Sequence, residues 1–255
     1  MIEEEEIALL LQAFQQLYSP PYPWLKVPEY KVGKHGLWTL DRFDENVLIH
    51  GYFTGVQPAK HNYRLKKGNT LWMSLTPMEL ESQSHHALAA YGHTVVMGLG
   101  MGTLLYNILA REEVTQVTVV EHDPDVFELL HQIAKPTSWP GWEKARFVIA
   151  DACSWKPDEP VDYLTVDIWP KLGDYNLRPD GQRIQANVQA DKVALWGQEL
   201  DFITFLAHQG YEPPATLEQY REYIEAIGIP LIESDNPDYP SYCMKAGNNA
   251  ITGCE

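Results

Sequence analysis

Five residues, Gly98-Leu99-Gly100-Met101-Gly102, follow an apolar run and precede a helix-forming stretch. Glycines let backbone amides approach a ligand closely, and a helix N-terminus favours negative or polar groups. The next apolar run ends in Glu121, 19 residues after Gly102. A carboxylate there is placed to accept hydrogen bonds from both hydroxyls of a ribose. A third run ends in Asp151-Ala152 and a fourth in Asp167. In open α/β sheets ligands bind outside the carboxyl ends of the strands, so the four elements converge on one crevice.

Asp167-Ile168-Trp169-Pro170 closes the fourth run. Asp167 can hold an incoming amine by charge-assisted hydrogen bonds or take its proton. Trp169 offers a π face to a cation, worth about 0.5–2 kcal/mol, or packs against the sheet edge. Asp174 reads as a replacement acceptor carboxylate or as a solvated loop acid. His122, beside Glu121, reads as an adenosine contact or as a loop histidine. Tyr52, Trp72, Gln83 and the 76–79 segment are candidates for the cavity wall on the N-terminal side. His85-His86 makes a poor metal pair, because neighbours on a helix point apart. The cysteines, Cys153, Cys243 and Cys254, offer neither a disulfide framework nor a metal spacing, and Cys153 has no nucleophile's partner. No metal is expected.

These residues need a scaffold. Residues 94–99, 116–121, 146–150 and 163–167 read as buried strands, and 103–110 and 124–133 as helices between them. Apolar strands alternating with helices predict a doubly wound, mostly parallel Rossmann-like α/β sheet covered on both faces. A long helix is expected over 185–208 and another over 217–227, with a poorly determined polar close over 236–255. Upstream, 37–40, 47–53 and 70–75 read as strands of a small β-rich unit. Thr76 and Pro77 then open a helix running toward Ala90. The chain starts with a helix whose stripe is Ile7, Leu10, Leu11, Phe14, Leu17 and Tyr18, ended by Pro20. This helix serves as a dock on the body, a lid or an oligomer contact. Two units are expected, 1–75 and 76–255.

The chain has 255 residues, 19 of them basic and 35 acidic, for a formal net charge of −16. That field disfavours a nucleic acid backbone and does not oppose a cationic small molecule. No run approaches the roughly 20 apolar residues of a membrane span, and the acidic start does not read as a secretory signal. A reducing cytoplasm is the expected compartment.

On these motifs the chain resembles the class I S-adenosylmethionine-dependent methyltransferase superfamily over residues 92–170. Val95-Val96-Met97-Gly98-Leu99-Gly100-Met101-Gly102 looks like the loop beside the cofactor's methionine part. Val119-Val120-Glu121-His122-Asp123-Pro124 looks like the ribose motif. Ala150-Asp151-Ala152 looks like the adenine motif, and the run ending in Asp167 borders the reacting centre. With its β-rich N-terminal unit, the pattern is most similar to the spermidine-synthase-like branch. Two departures stand out. Met101 replaces an aspartate of that branch's glycine loop, and Pro170 replaces the second aspartate of its Asp-x-x-Asp-Pro pattern.

The resemblance implies S-adenosylmethionine, or its decarboxylated form, as cofactor. It implies methyl transfer to a small polar or amine-bearing acceptor, with Asp167 and Trp169 at the reacting centre. Gly98, Leu99, Gly100, Met101, Gly102, Glu121, His122, Asp151, Ala152 and Asp167 would hold the cofactor. Aminopropyl transfer to a polyamine is the alternative, and an adenosyl-binding protein without turnover is a third reading. A glycine loop with an acidic strand end is also shared by NAD-type sites.

Overall fold

The computed structural model describes residues 19–43 and 47–252. The expected leading helix and Cys254 lie outside them. Among the described residues, no helix is long and apolar enough to cross a membrane.

The first strands are β1 (Gly33–His35), β2 (Trp38–Arg42), β3 (Leu48–His50), β4 (Val56–Pro58), β5 (Tyr63–Lys67) and β6 (Thr70–Ser74). Four form an antiparallel sheet in the order β1-β2-β5-β6, while β3 and β4 pair as a separate ribbon. Thr76 caps α1 (Pro77–Ser82) by accepting from the Glu79 amide, with Pro77 at the helix start. The helix expected to continue to residue 90 breaks at Gln83, and α2 (Ser84–Ala89) begins anew.

A five-stranded parallel sheet follows, made of β7 (Gly92–Met97), β8 (Val114–Glu121), β9 (Ala145–Ile149), β10 (Tyr163–Val166) and β11 (Lys192–Leu195). Its order is β11-β10-β7-β8-β9, with all four pairings parallel. The α3 (Thr103–Leu109) and α4 (Pro124–Ala134) helices connect β7, β8 and β9 in turn. The chain builds outward from β7 on one side, then returns to build β10 and β11 on the other. The switch point lies between β7 and β10, where such sheets open a crevice.

Side chains alternate across this sheet as the two-residue period of a strand demands. Val96, Val119 and Tyr163 enter one core with Leu105, Ile108 and Leu129. Val95, Met97, Val120 and Leu164 enter the other with Ile184, Phe202 and Tyr220. Trp38, Leu40 and Leu65 of the antiparallel sheet belong to the first of these cores.

The stretch expected as one helix over 185–208 is three elements. The α5 helix (Leu177–Val188) ends at Gln189, whose φ is 55°. β11 follows, and α6 (Gln198–Gln209) starts after Gly197, whose φ is 92°. Both torsions are left-handed and cannot continue a helix. Most of β11 is enclosed, since Val193, Ala194 and Leu195 have no exposed surface. The α7 helix (Leu217–Ile227) carries a capping box between Thr216 and Gln219. The closing stretch forms α8 (Tyr239–Thr252).

A buried acid fastens the ribbon loop to α1. Glu81 is fully buried and accepts from the Phe53 amide at 2.8 Å, the Thr54 amide at 3.2 Å and the Thr54 hydroxyl at 2.7 Å. The Gln57 amide adds a contact at 3.0 Å. Burial raises the Glu81 pKa, and these donors hold part of that rise back. Removing the carboxylate orphans them together. Glu81→Ala is therefore expected to cost roughly 3 kcal/mol, read as a lowered midpoint in thermal or urea denaturation.

Candidate active site

The carboxyl ends of β7, β8, β9 and β10 border a cavity of about 340 Å³, inside the range of small-molecule sites. Its opposite wall comes from the antiparallel sheet and α1, through Trp38, Lys67, Trp72, Met73, Glu79 and Gln83.

Glu121 organises the floor. Its Oε2 accepts from the Leu99 amide at 2.9 Å and its Oε1 from the Asp123 amide at 2.8 Å. The carboxylate thus ties the glycine loop to the tip of β8. Each oxygen keeps a second lone pair for another donor. Gly98 has φ 90°, and a Cβ built on it would meet the Asp167 carbonyl oxygen at 2.0 Å. At Gly100, with φ 50°, the same atom would meet the Met73 sulfur at 2.6 Å. The loop is closed in on both sides, and only glycine fits these backbone positions.

Met101 and Gly102 correct the sequence expectation, because neither borders the cavity. The Met101 side chain is fully buried in the core that carries α3. Its amide donates to the Met73 sulfur at 3.3 Å, and its carbonyl accepts from the Tyr30 hydroxyl at 2.8 Å. Gly102 is the left-handed N-cap of α3 and faces the Trp139 ring. Gly98, Leu99, Gly100, Glu121, His122, Asp151, Ala152, Asp167 and Trp169 do line the cavity.

Asp167 stands at the crevice with two partners from α1 and its end. The Gln83 side-chain amide donates to Asp167 Oδ2 at 2.7 Å and to Glu79 Oε1 at 3.0 Å. One amide nitrogen therefore bridges two carboxyl groups facing the same space. Burial raises Asp167 from 3.8 to about 7. Burial also pushes Glu79 well above its usual value, and the Asp167 charge adds to that. Two buried acids sharing one donor favour a proton held between them.

At the other end, Asp123 accepts from the Trp38 indole at 2.8 Å and from Lys67 Nζ at 2.9 Å. Burial opposes its ionisation, but those donors and the Asp125 amide hold its pKa below the usual value. Among the described residues, Lys67 is the lysine or arginine that lines the cavity, and Asp123 already engages it. Five carboxyl groups, from Glu79, Glu121, Asp123, Asp151 and Asp167, line the same space.

Trp169, expected either to offer its π face to a cation or to pack against the sheet edge, sits between the cavity and the core behind it. It lines the cavity and is buried, with its indole N–H donating to Asp180 Oδ2 at 3.1 Å. Asp174 is away from the cavity and accepts from the Asn176 amide at 2.9 Å, a loop acid capping its own turn. Tyr52 is also away from it, fully buried and donating to Glu199 at 2.9 Å. Cys153 is half-buried, and burial raises its thiol pKa. His85 and His86, expected to point apart, meet edge to face with ring centroids 4.4 Å apart. Successive residues leave a helix about 100° apart, which lets two enclosed rings touch. The reading of sequence missed Trp38, Lys67, Met73 and Trp196 as cavity residues. The i, i+4 spacing of Glu79 and Gln83 was a usable signal for a shared face.

Because folding raises the Asp167 pKa from 3.8 to about 7, the native state holds the proton more tightly than the unfolded chain. That contribution to stability is complete below pH 4 and is lost as pH rises toward 7. Thermal midpoints of the ligand-free protein at constant ionic strength are expected to show this fall. Asp167→Asn should flatten the profile over that window.

No family model and no curated protein matches the chain. Solved structures do. A spermidine synthase from Thermotoga maritima matches at 14% identity, covering 70% of this chain and 65% of that one, with a TM-score of 0.38. The glycopeptide N-methyltransferase MtfA with S-adenosyl-L-homocysteine matches at 16% identity over 45% and 46%, with a TM-score of 0.36. The CcbJ methyltransferase from Streptomyces caelestis matches at 15% over 42% and 45%, with a TM-score of 0.33. Each match spans less than two thirds of the other chain.

Proposed function

We propose that the chain is a transferase moving an alkyl group from an adenosyl sulfonium cofactor to a small amine. One observation carries this reading: the Glu79–Gln83–Asp167 bridge faces the glycine loop across a single cavity. The residues present fit such a cofactor. Glu121 keeps lone pairs for two ribose hydroxyls beside a loop whose glycines leave its backbone bare. Asp151 and Ala152 border the space next to Ile168 and Trp169, where an adenine would lie between an acid and apolar side chains.

When bound, the cofactor supplies an activated alkyl group on a cationic sulfur. The protein's task is then alignment and exclusion of water, which can account for much of a rate enhancement. The Glu79–Asp167 pair can give up a proton as an acceptor ammonium enters, and then holds that cation by charge. With a pKa near 7, Asp167 is matched to accept the proton the amine sheds before attack. The Gln83 amide holds both carboxyl groups in register for the same nitrogen. Methyl transfer from S-adenosylmethionine is the first form of this reading.

A second form is favoured by the charge at that end of the cavity. A carboxylate-bearing tail placed beside the glycine loop would face Glu79 and Asp167 with no unengaged lysine or arginine among the described residues. A decarboxylated cofactor with an aminopropyl tail avoids that repulsion. Met101 and Pro170, where the spermidine-synthase-like branch has aspartates, weigh against it. The −16 charge suits a cationic acceptor in either form and opposes a nucleic acid one.

Incubating the protein with each cofactor form and a diamine such as putrescine separates the forms. S-adenosylhomocysteine release marks methyl transfer, and methylthioadenosine release marks aminopropyl transfer. Binding without either product from any amine acceptor would leave an adenosyl-binding protein and sink the transferase reading. Glu121→Ala is expected to weaken adenosyl-ligand binding by roughly 1.5–3 kcal/mol, read by calorimetry on a variant shown to be folded. An unchanged affinity would remove Glu121 from the ribose.

A further inference from the structure

Outside the cavity, a second group of chemically capable side chains is sealed in the interior. His85 and His86 on α2 and Glu199 on α6 are each completely buried. Their ligand-capable atoms lie within 4.8 Å of one another. His85 Nε2 sits 2.7 Å from Glu199 Oε1, yet neither nitrogen of that ring has an aligned hydrogen-bond partner, and His86 Nε2 has none either. Buried polar atoms are rarely left so. Two buried imidazoles beside one carboxylate, with ring nitrogens short of aligned hydrogen bonds, offer lone pairs to a partner that accepts them.

Neighbouring groups prepare the cluster for such a partner. The Thr165 hydroxyl lies 3.4 Å from His86 Nδ1. If Nδ1 carries the proton, the Nε2 lone pair is left free. The Tyr52 and Tyr239 hydroxyls donate to Glu199 at 2.9 and 2.5 Å, fixing the carboxylate as outer-shell partners of metal ligands do. The Tyr22 ring covers His85 at 5.1 Å between centroids.

We propose that His85, His86 and Glu199 form an internal site for a divalent transition-metal ion of the zinc class. Two imidazoles and a carboxylate suit zinc and its first-row neighbours over calcium or magnesium. Tetrahedral ligand atoms lie roughly 3.4 Å apart around zinc, so the present spacing closes on an ion with small side-chain shifts. The role is structural, because the site is shut off from the cavity. It joins α2 to α6, and through Tyr239 to α8. This inference stands apart from the transferase reading, and either can fail alone.

The test uses the full-length chain without a polyhistidine tag. Elemental analysis of the purified protein is expected to find about one transition-metal ion per chain. After stripping with a chelator, added zinc should raise the thermal midpoint. His86→Gln and Glu199→Gln should each weaken zinc binding at least tenfold, while His208→Gln, a change on the surface of α6, should not. Cobalt substitution of the unmutated protein should give visible absorption typical of tetrahedral coordination, which keeps the test decisive if the variants fail to fold. A purified chain that holds no metal and neither binds nor is stabilised by zinc overturns the proposal. So does zinc binding that folded His86→Gln and Glu199→Gln leave unchanged.

Discussion

A single carboxylate, that of Glu121, holds two backbone amides from different segments. One belongs to the glycine loop and one to the entry of α4. Without that anion the loop after β7 would have to satisfy the Leu99 amide elsewhere or with water, and the crevice would lose its floor. The rest of the site is arranged around it. The close approach of the Asp167 carbonyl to Gly98 is possible because glycine carries no Cβ. The sheet order puts β7 between β8 and β10, so the loop, Glu121 and Asp167 meet without any long connection crossing the crevice.

The electrostatic character of the cavity follows from what the other wall contributes. The antiparallel sheet supplies Lys67, but Asp123 neutralises it. Its neighbour α1 supplies Glu79, whose charge is suppressed by burial and by Asp167. The cavity is therefore acidic at both ends, and differently so. Near Trp38 the acid is ionised and paired. Near Gln83 two acids share one amide, and burial raises the pKa of both. A cation entering there would therefore replace a proton rather than meet a settled pair of charges.

How much of this could be read from the chain depended on distance along it. Gly98, Gly100, Glu121, Asp151 and Asp167 were legible because each lies at or just past the end of a strand, and a parallel sheet brings strand ends together by rule. The roles of Met101 and Gly102 were not, since the turn directs one into the core and uses the other to start a helix. Gln83 and Asp167 are 84 residues apart, and no local pattern reports that they touch. Trp38, Lys67 and Met73 face the cavity only because the antiparallel sheet lies over the glycine loop. β11 was hidden by its length, for a four-residue run with three apolar residues cannot be told from a buried helix segment by periodicity. Left-handed Gln189 was the break, and glutamine gives no warning of it. The histidine pair was misread because a rule for free helix surfaces was applied to an enclosed one.

Met101 is gripped at both polar atoms of its backbone, by the Met73 sulfur and the Tyr30 hydroxyl. Neither grip comes from the parallel sheet that carries the loop. The lip of the crevice is thus clamped from outside by two side chains contributed before the first parallel strand begins. A graft that transplanted the parallel sheet alone into another host would bring every glycine and acid along. It would still leave the bend without the fingers that keep it in shape.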